Sequence, residues 1–200
     1  MSTAADLARL SRLGSSVFTT EEVVAALKTS SSAASRTMRV LASHGLATHV
    51  RHGLWRLGTS PADPRQLGPE ITRPYPSYVS FASALAAHEV IDQIPRDITL
   101  ASLGRPKRVH TASASFAVHR LPPELFGGFE RRDGFDLATV GKAIFDFSYV
   151  AAASGHARRR LPEMDLPRSF SRTEIDRWIG LIGSKRIQTL VRRSIDRTLR

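Results

Sequence analysis

The clearest chemistry in this sequence belongs to four side chains in a short segment. Ser32, Arg36, Arg39 and Ser43 recur at i, i+4, i+7 and i+11, a spacing that gathers all four on one face of an α-helix. Ala34, Met38 and Leu41 take the opposite face and would meet a core. The polar face offers two guanidiniums and two hydroxyls and no acid. An Arg fork pairs bidentately with guanine O6/N7 and also grips phosphate, which is what a helix in a major groove needs. The plain alternative is a solvated helix surface with two unpaired arginines. Arg51 and His52 are the second candidate group: they fall at the tip of a predicted hairpin just downstream, where contact with the DNA backbone or the neighbouring minor groove is expected.

The flanking residues supply the elements that would position these groups. Thr3 to Leu13 reads as a first helix ended by Gly14. Thr19 or Thr20 can cap a second helix, with Glu21 and Glu22 in its first turn, where the helix dipole favours negative charge. Lys28-Thr29-Ser30 makes a short polar turn, and a third helix runs from Ser31 to His44, stopped by Gly45. Leu46 to Val50 and Leu54 to Leu57 pattern as two strands around a His52-Gly53 turn. Trp55 is expected to pack on the helices. Residues 17–57 therefore read as a winged helix-turn-helix with Ser31 to His44 as its recognition helix.

The 200-residue chain carries a net charge of +11, 42% hydrophobic residues and no Cys. The apolar content supports a packed core, and the missing Cys removes disulfide frameworks and thiolate zinc sites. The charge is uneven. Residues 1–60 hold seven Lys or Arg against three acids, residues 61–154 ten against ten, and residues 155–200 twelve against five. Two basic ends flank a neutral middle, a balance that favours a polyanion such as nucleic acid, although an Arg-rich proteome gives the same sum. The first residues carry no basic, apolar leader, and no apolar run approaches the ~18 residues of a membrane span. A cytoplasmic location is the expectation.

Past the wing, Ser60 to Pro64 has the composition of a linker. Tyr78 to His88 reads as a buried helix, and Asp97 to Ser102, Arg108 to Thr111, Ser115 to Leu121 and Phe135 to Ala138 as strands. Val140 to Ala153 reads as a strong helix with Ile144, Phe147, Tyr149 and Val150 on its apolar side. Arg158-Arg159-Arg160 and Leu161-Pro162 mark a break. Two amphipathic helices then close the chain, Thr173 to Ile182 and Lys185 to Leu199, the second covered outside by Arg186, Arg192, Arg193 and Arg197. Those arginines are a candidate second anion-binding surface. The fold class expected is α+β: a winged helix-turn-helix over 1–60, then a mixed α/β domain over 61–200 ending in two basic helices.

Enzymatic signatures are missing. The sequence contains no phosphate-binding G-x-x-x-x-G-K-[ST] or G-x-G-x-x-G loop and no G-x-S-x-G nucleophile elbow. His44, His49 and His52 have no Cys or acid nearby to complete a metal set. Asp133, Asp136 and Asp146 form an imaginable nuclease triad without the Glu-x-Lys partner such a site needs; Asp146 reads instead as a structural residue on the rim of its helix. No catalytic residue, metal or cofactor is assigned.

Taken in order, Tyr78-Val79-Ser80-Phe81-Ala82-Ser83-Ala84-Leu85-Ala86-Ala87-His88, Asp92-Gln93-Ile94-Pro95, Phe116-Ala117-Val118-His119-Arg120-Leu121, Leu125-Phe126-Gly127-Gly128 and Leu137-Ala138-Thr139, leading into Lys142-Ala143-Ile144-Phe145-Asp146 and Tyr149, resemble the AbiEi antitoxins of bacterial type IV toxin–antitoxin systems. Arg39 to Leu46 and Gly53 to Leu57 resemble that family's winged helix. The resemblance spans about residues 17–155. It departs at Val140-Gly141, where family members often carry Pro-Glu before the Lys-Ala pair. It implies an autorepressor that binds inverted repeats in its own promoter, and an antitoxin domain that counters a nucleotidyltransferase-like toxin without a stable complex. A metal-dependent nuclease with a DNA-binding arm, and a stand-alone transcription factor that senses a ligand, are the alternatives.

Overall fold

A computed structural model of the chain describes residues 3–59, 63–156, 163–168 and 170–199. Its fold is mixed α and β, with eight α-helices and two sheets among the described residues. The chain divides into two compact units, 1–64 with the short stretch 110–114, and 65–109 with 115–200. Ser60 to Ala62 of the predicted linker, and the break at Arg158 to Pro162, lie outside the described residues; Pro64–Leu67 is a 3-10 turn.

The first unit contains α1 (Thr3–Ser11), β1 (Val17–Thr19), α2 (Thr20–Leu27), α3 (Ser31–Ser43), β2 (Ala47–Arg51) and β3 (Leu54–Leu57). Its three strands pair antiparallel in the order β1-β3-β2, with Phe18 and His49 both opposite Trp55. The caps explain why the helices start where they do. Thr19 Oγ1 accepts from Glu22 N at 3.1 Å and Glu22 Oε2 accepts from Thr19 N at 2.6 Å, a reciprocal box that satisfies two orphan donors. Ser30 Oγ accepts from Ala33 N at 3.3 Å at the start of α3. Between them Lys28 adopts a left-handed φ of 50° and closes α2, which lets the chain turn in three residues. Leu10, Phe18, Val23, Leu27, Ala34, Met38, Leu41, Ala47 and Trp55 form one core. α1 ends at Ser11, short of the expected Leu13, which is 55% exposed, and Asp6 is buried with Leu10 on its inner side.

The second unit is built on a six-stranded sheet ordered β6-β7-β5-β4-β9-β8. These strands are β4 (Ser77–Val79), β5 (Ile98–Ser102), β6 (Lys107–His110), β7 (Ser115–Arg120), β8 (Phe129–Arg132) and β9 (Phe135–Ala138). β4 runs antiparallel to β5 and parallel to β9, and β5 runs parallel to β7. Its helices are α4 (Gly68–Thr72), α5 (Phe81–Ala87), α6 (Val140–Ala153), α7 (Thr173–Gly180) and α8 (Lys185–Thr198). α6 is the hub and touches α5, α7 and α8.

Two expectations fail here for physical reasons. The helix predicted from Tyr78 begins only at Phe81, and Tyr78 belongs to a central strand buried at every position. A short strand buried on both faces is a continuous apolar run, and such a run has no period to separate it from buried helix. In α6 only Ile144 of the expected apolar side is fully buried. Phe147, Tyr149 and Val150 are half-buried, whereas Lys142, Asp146 and Ser148 are buried.

Candidate nucleic-acid interface

The recognition-helix candidates share one exposed surface. Ser32, Arg36, Arg39 and Ser43 are all exposed on α3, while Ala34, Met38 and Leu41 on its other side are 0% exposed. Both hydroxyls are already engaged within the helix. Ser43 Oγ donates to Val40 O at 2.8 Å, and Ser32 Oγ lies 3.1 Å from the capping Ser30 Oγ. Ser43 has no proton to spare, Ser32 shares one hydrogen bond with Ser30 in which either hydroxyl can donate, and the charged donors on this face are the guanidiniums. Arg39 Nε donates to Ser35 O at 3.2 Å, which fixes the stem and leaves the fork outward. Arg36 makes no hydrogen bond or ion pair among the described residues and is fully available.

The hairpin is held to the helices by its own polar contacts. Thr20 N donates to Gly53 O at 3.0 Å, tying the turn to the start of α2. Trp55 Nε1 donates to Thr20 Oγ1 at 3.3 Å while its ring fills the core. His49 packs its ring on Trp55, 4.4 Å between centroids, so it is a packing residue. Gly53 sits at φ +72°, a conformation that makes Gly the natural occupant of the turn. His52 is exposed at that turn, and Arg51 is half-buried just before it. Arg51 Nη1 donates to His52 O at 3.4 Å, and its Nε is buried with no acceptor. The Arg51 side chain therefore lies along the turn.

The second unit holds a polar cluster that the sequence did not reveal. Lys142 and Asp146 stand one turn apart on α6, are both 0% exposed, and form an ion pair. Lys142 Nζ also donates to Leu125 O at 2.7 Å, and the Trp178 ring lies 4.3 Å away in place of a third acceptor. Asp146 Oδ2 accepts from Ser80 Oγ at 2.7 Å and from Tyr78 Oη at 2.9 Å. Burial pushes the Asp146 carboxyl upward, against the opposing pull of Lys142, Ser80 and Tyr78. Burial likewise lowers the Lys142 ammonium, with Asp146 pulling it back up, and raises the Tyr78 phenol. Two glycines make room for the lid over this pair. A Cβ at Gly128 would come within 2.8 Å of Trp178 and 2.9 Å of Lys142, and one at Gly141 within 2.6 Å of the Glu174 carboxylate. The signal was a Lys-x-x-x-Asp pair inside an otherwise apolar helix, a spacing that reads equally well as a surface ion pair.

The aspartates of the nuclease alternative make other partners. Asp146 is spent on Lys142, Asp136 pairs with Arg131 at 3.2 Å, and Asp133 lies 3.7 Å from Arg132. Among the described residues no three His, Cys, Asp or Glu gather in a metal-holding group, and no helix is long and apolar enough to cross a membrane. On the terminal helices, Arg192 pairs with Asp176 at 3.3 Å and Arg172 with Asp196, so the predicted basic surface is partly neutralised. No family model matches the chain, and no match to it is found among curated proteins.

Proposed function

We propose that the protein is a sequence-specific DNA-binding repressor, its first unit a winged helix-turn-helix that reads double-stranded DNA through α3. One observation carries this reading: a capped, rigidly packed helix with an exposed face that carries two guanidiniums, Arg36 and Arg39, and no acid. Supporting it, α2 and α3 meet through a three-residue turn, and a hairpin pinned to α2 brings Arg51 and His52 to the same unit. Ser32 and Ser43 are the secondary contacts, acting as acceptors or through water.

The same proposal takes the sequence resemblance to AbiEi antitoxins as its guide to biology. The duplex bound is then an inverted repeat in the protein's own promoter. The second unit counters a nucleotidyltransferase-like toxin encoded nearby without forming a stable complex, and the protein acts in the cytoplasm without catalysing a reaction. The test is to place the promoter before a reporter and to co-express the chain with the neighbouring open reading frame. Repression of the reporter together with relief of growth arrest is the expected result. Plasmid cleavage by the purified protein in Mg²⁺ or Mn²⁺ would overturn it in favour of a nuclease.

A further inference from the structure

The second unit contains an open cleft of about 1460 Å³ that takes no part in the proposed DNA contact. Its lining is largely apolar, including Phe81, Val150, Ala152 and Leu190, and among the described residues it carries the guanidiniums of Arg120 and Arg186. Among the described residues no Asp or Glu lines it. Arg120 ends β7 and Arg186 lies in the first turn of α8; both are exposed and neither has a hydrogen-bond or ion-pair partner among the described residues. Leu190 follows Arg186 by one turn, so α8 offers the cleft an apolar contact with a cation beside it.

The wall is preformed. Phe81 is held at a left-handed φ of 56°, a conformation that costs a bulky residue energy and persists only when its surroundings enforce it. Thr99, itself a lining residue, supplies the enforcement. Its Oγ1 donates to Ser80 O at 2.7 Å and accepts from Ser83 N at 3.2 Å, while Ser80 N donates to Thr99 O at 3.0 Å. The Phe81 ring then rests on His119 at 4.7 Å. Tyr149, another lining ring, stacks on Phe145 at 5.9 Å. Phe81 and Tyr149 thus each have one ring face packed on a neighbouring ring, and the apolar lining lies with two guanidiniums that have no partner among the described residues.

We propose that this cleft is a binding site for small amphipathic anions, an aliphatic or aromatic body lying on Phe81, Val150 and Leu190 with its carboxylate or sulfonate at Arg120 and Arg186. The site stands whether or not the first unit binds DNA. The test uses the full chain and the fluorescent anion 1-anilinonaphthalene-8-sulfonate, displaced in separate arms by decanoate and by indole-3-acetate. At least one of these should displace the probe, the arm that succeeds identifying an aliphatic or aromatic ligand, and the cation decyltrimethylammonium should not. Arg120→Gln with Arg186→Gln should weaken displacement about tenfold or more with an unchanged circular dichroism melt, the loss of a charge-assisted contact. Arg186→Lys, which keeps the charge, should retain most of it. Equal displacement by the cation, unaltered displacement in the double variant, or displacement only by a single-stranded oligonucleotide would each overturn the proposal.

Discussion

Lys142 is the residue whose environment is most extreme. A buried ammonium is tolerated because Asp146, Leu125 O and the Trp178 face replace water, and because Tyr78 and Ser80 complete the carboxylate. Lys142→Met removes the cation and strands the carboxylate, so it should cost about 3–5 kcal/mol in denaturant unfolding near neutral pH. The pH dependence has a definite sign. Without Lys142, burial holds the folded Asp146 pKa above its unfolded value. The native state then binds the proton more tightly, and its penalty is present at high pH and lost as pH falls through that raised pKa. The gap between Lys142→Met and the wild type should therefore narrow on acidification; a gap that widens would mean that Asp146 is not the stranded group. Gly141 belongs to the same site: it stands where a side chain would strike Glu174, so Gly141→Glu should destabilise α7 against α6.

At the scale of elements, the sequence made α6 legible to the residue, because Thr139 caps it and its composition is strongly helical. Four of the six strands of the second sheet, β5, β6, β7 and β9, were visible through alternation and turns. β1, β4 and β8 were not: β1 and β4 have three residues each, β4 is uniformly buried, and β8 is mostly exposed and charged, so none presents a period-two pattern. The two faces of α3 were legible because a 3.6-residue period separates Arg36 and Arg39 cleanly from Met38 and Leu41. The buried ion pair and the cleft were not, because both depend on contacts between elements far apart in sequence. The cap of α3 gives a direct prediction. Ser30→Ala should cost about 0.5–2 kcal/mol and weaken DNA binding in step with the lost helix. Arg51→Ala should instead leave stability nearly unchanged, weaken all duplexes alike, and reduce the slope of log K against log salt by about one unit. A loss confined to one duplex sequence would assign Arg51 to base readout.

For the whole molecule, each of the two units has its own buried apolar residues, and the division after Pro64 sets the expectation for separation. A fragment from Arg65 to Arg200 should fold cooperatively by circular dichroism, lose operator binding, and keep antitoxic activity; a folded fragment that fails to relieve the toxin would assign neutralisation to the first unit as well. The central claim is that α3 reads DNA sequence. Fluorescence anisotropy on the protein's own promoter duplex and on a scrambled duplex of equal length, at several salt concentrations, tests it most directly. The wild type should prefer the promoter at every salt concentration. Arg36→Ala and Arg39→Ala should each lose about 1–3 kcal/mol of affinity for the promoter and much less for the scrambled duplex. Equal binding of both duplexes by the wild type, or an undiminished preference in both variants, would contradict the account.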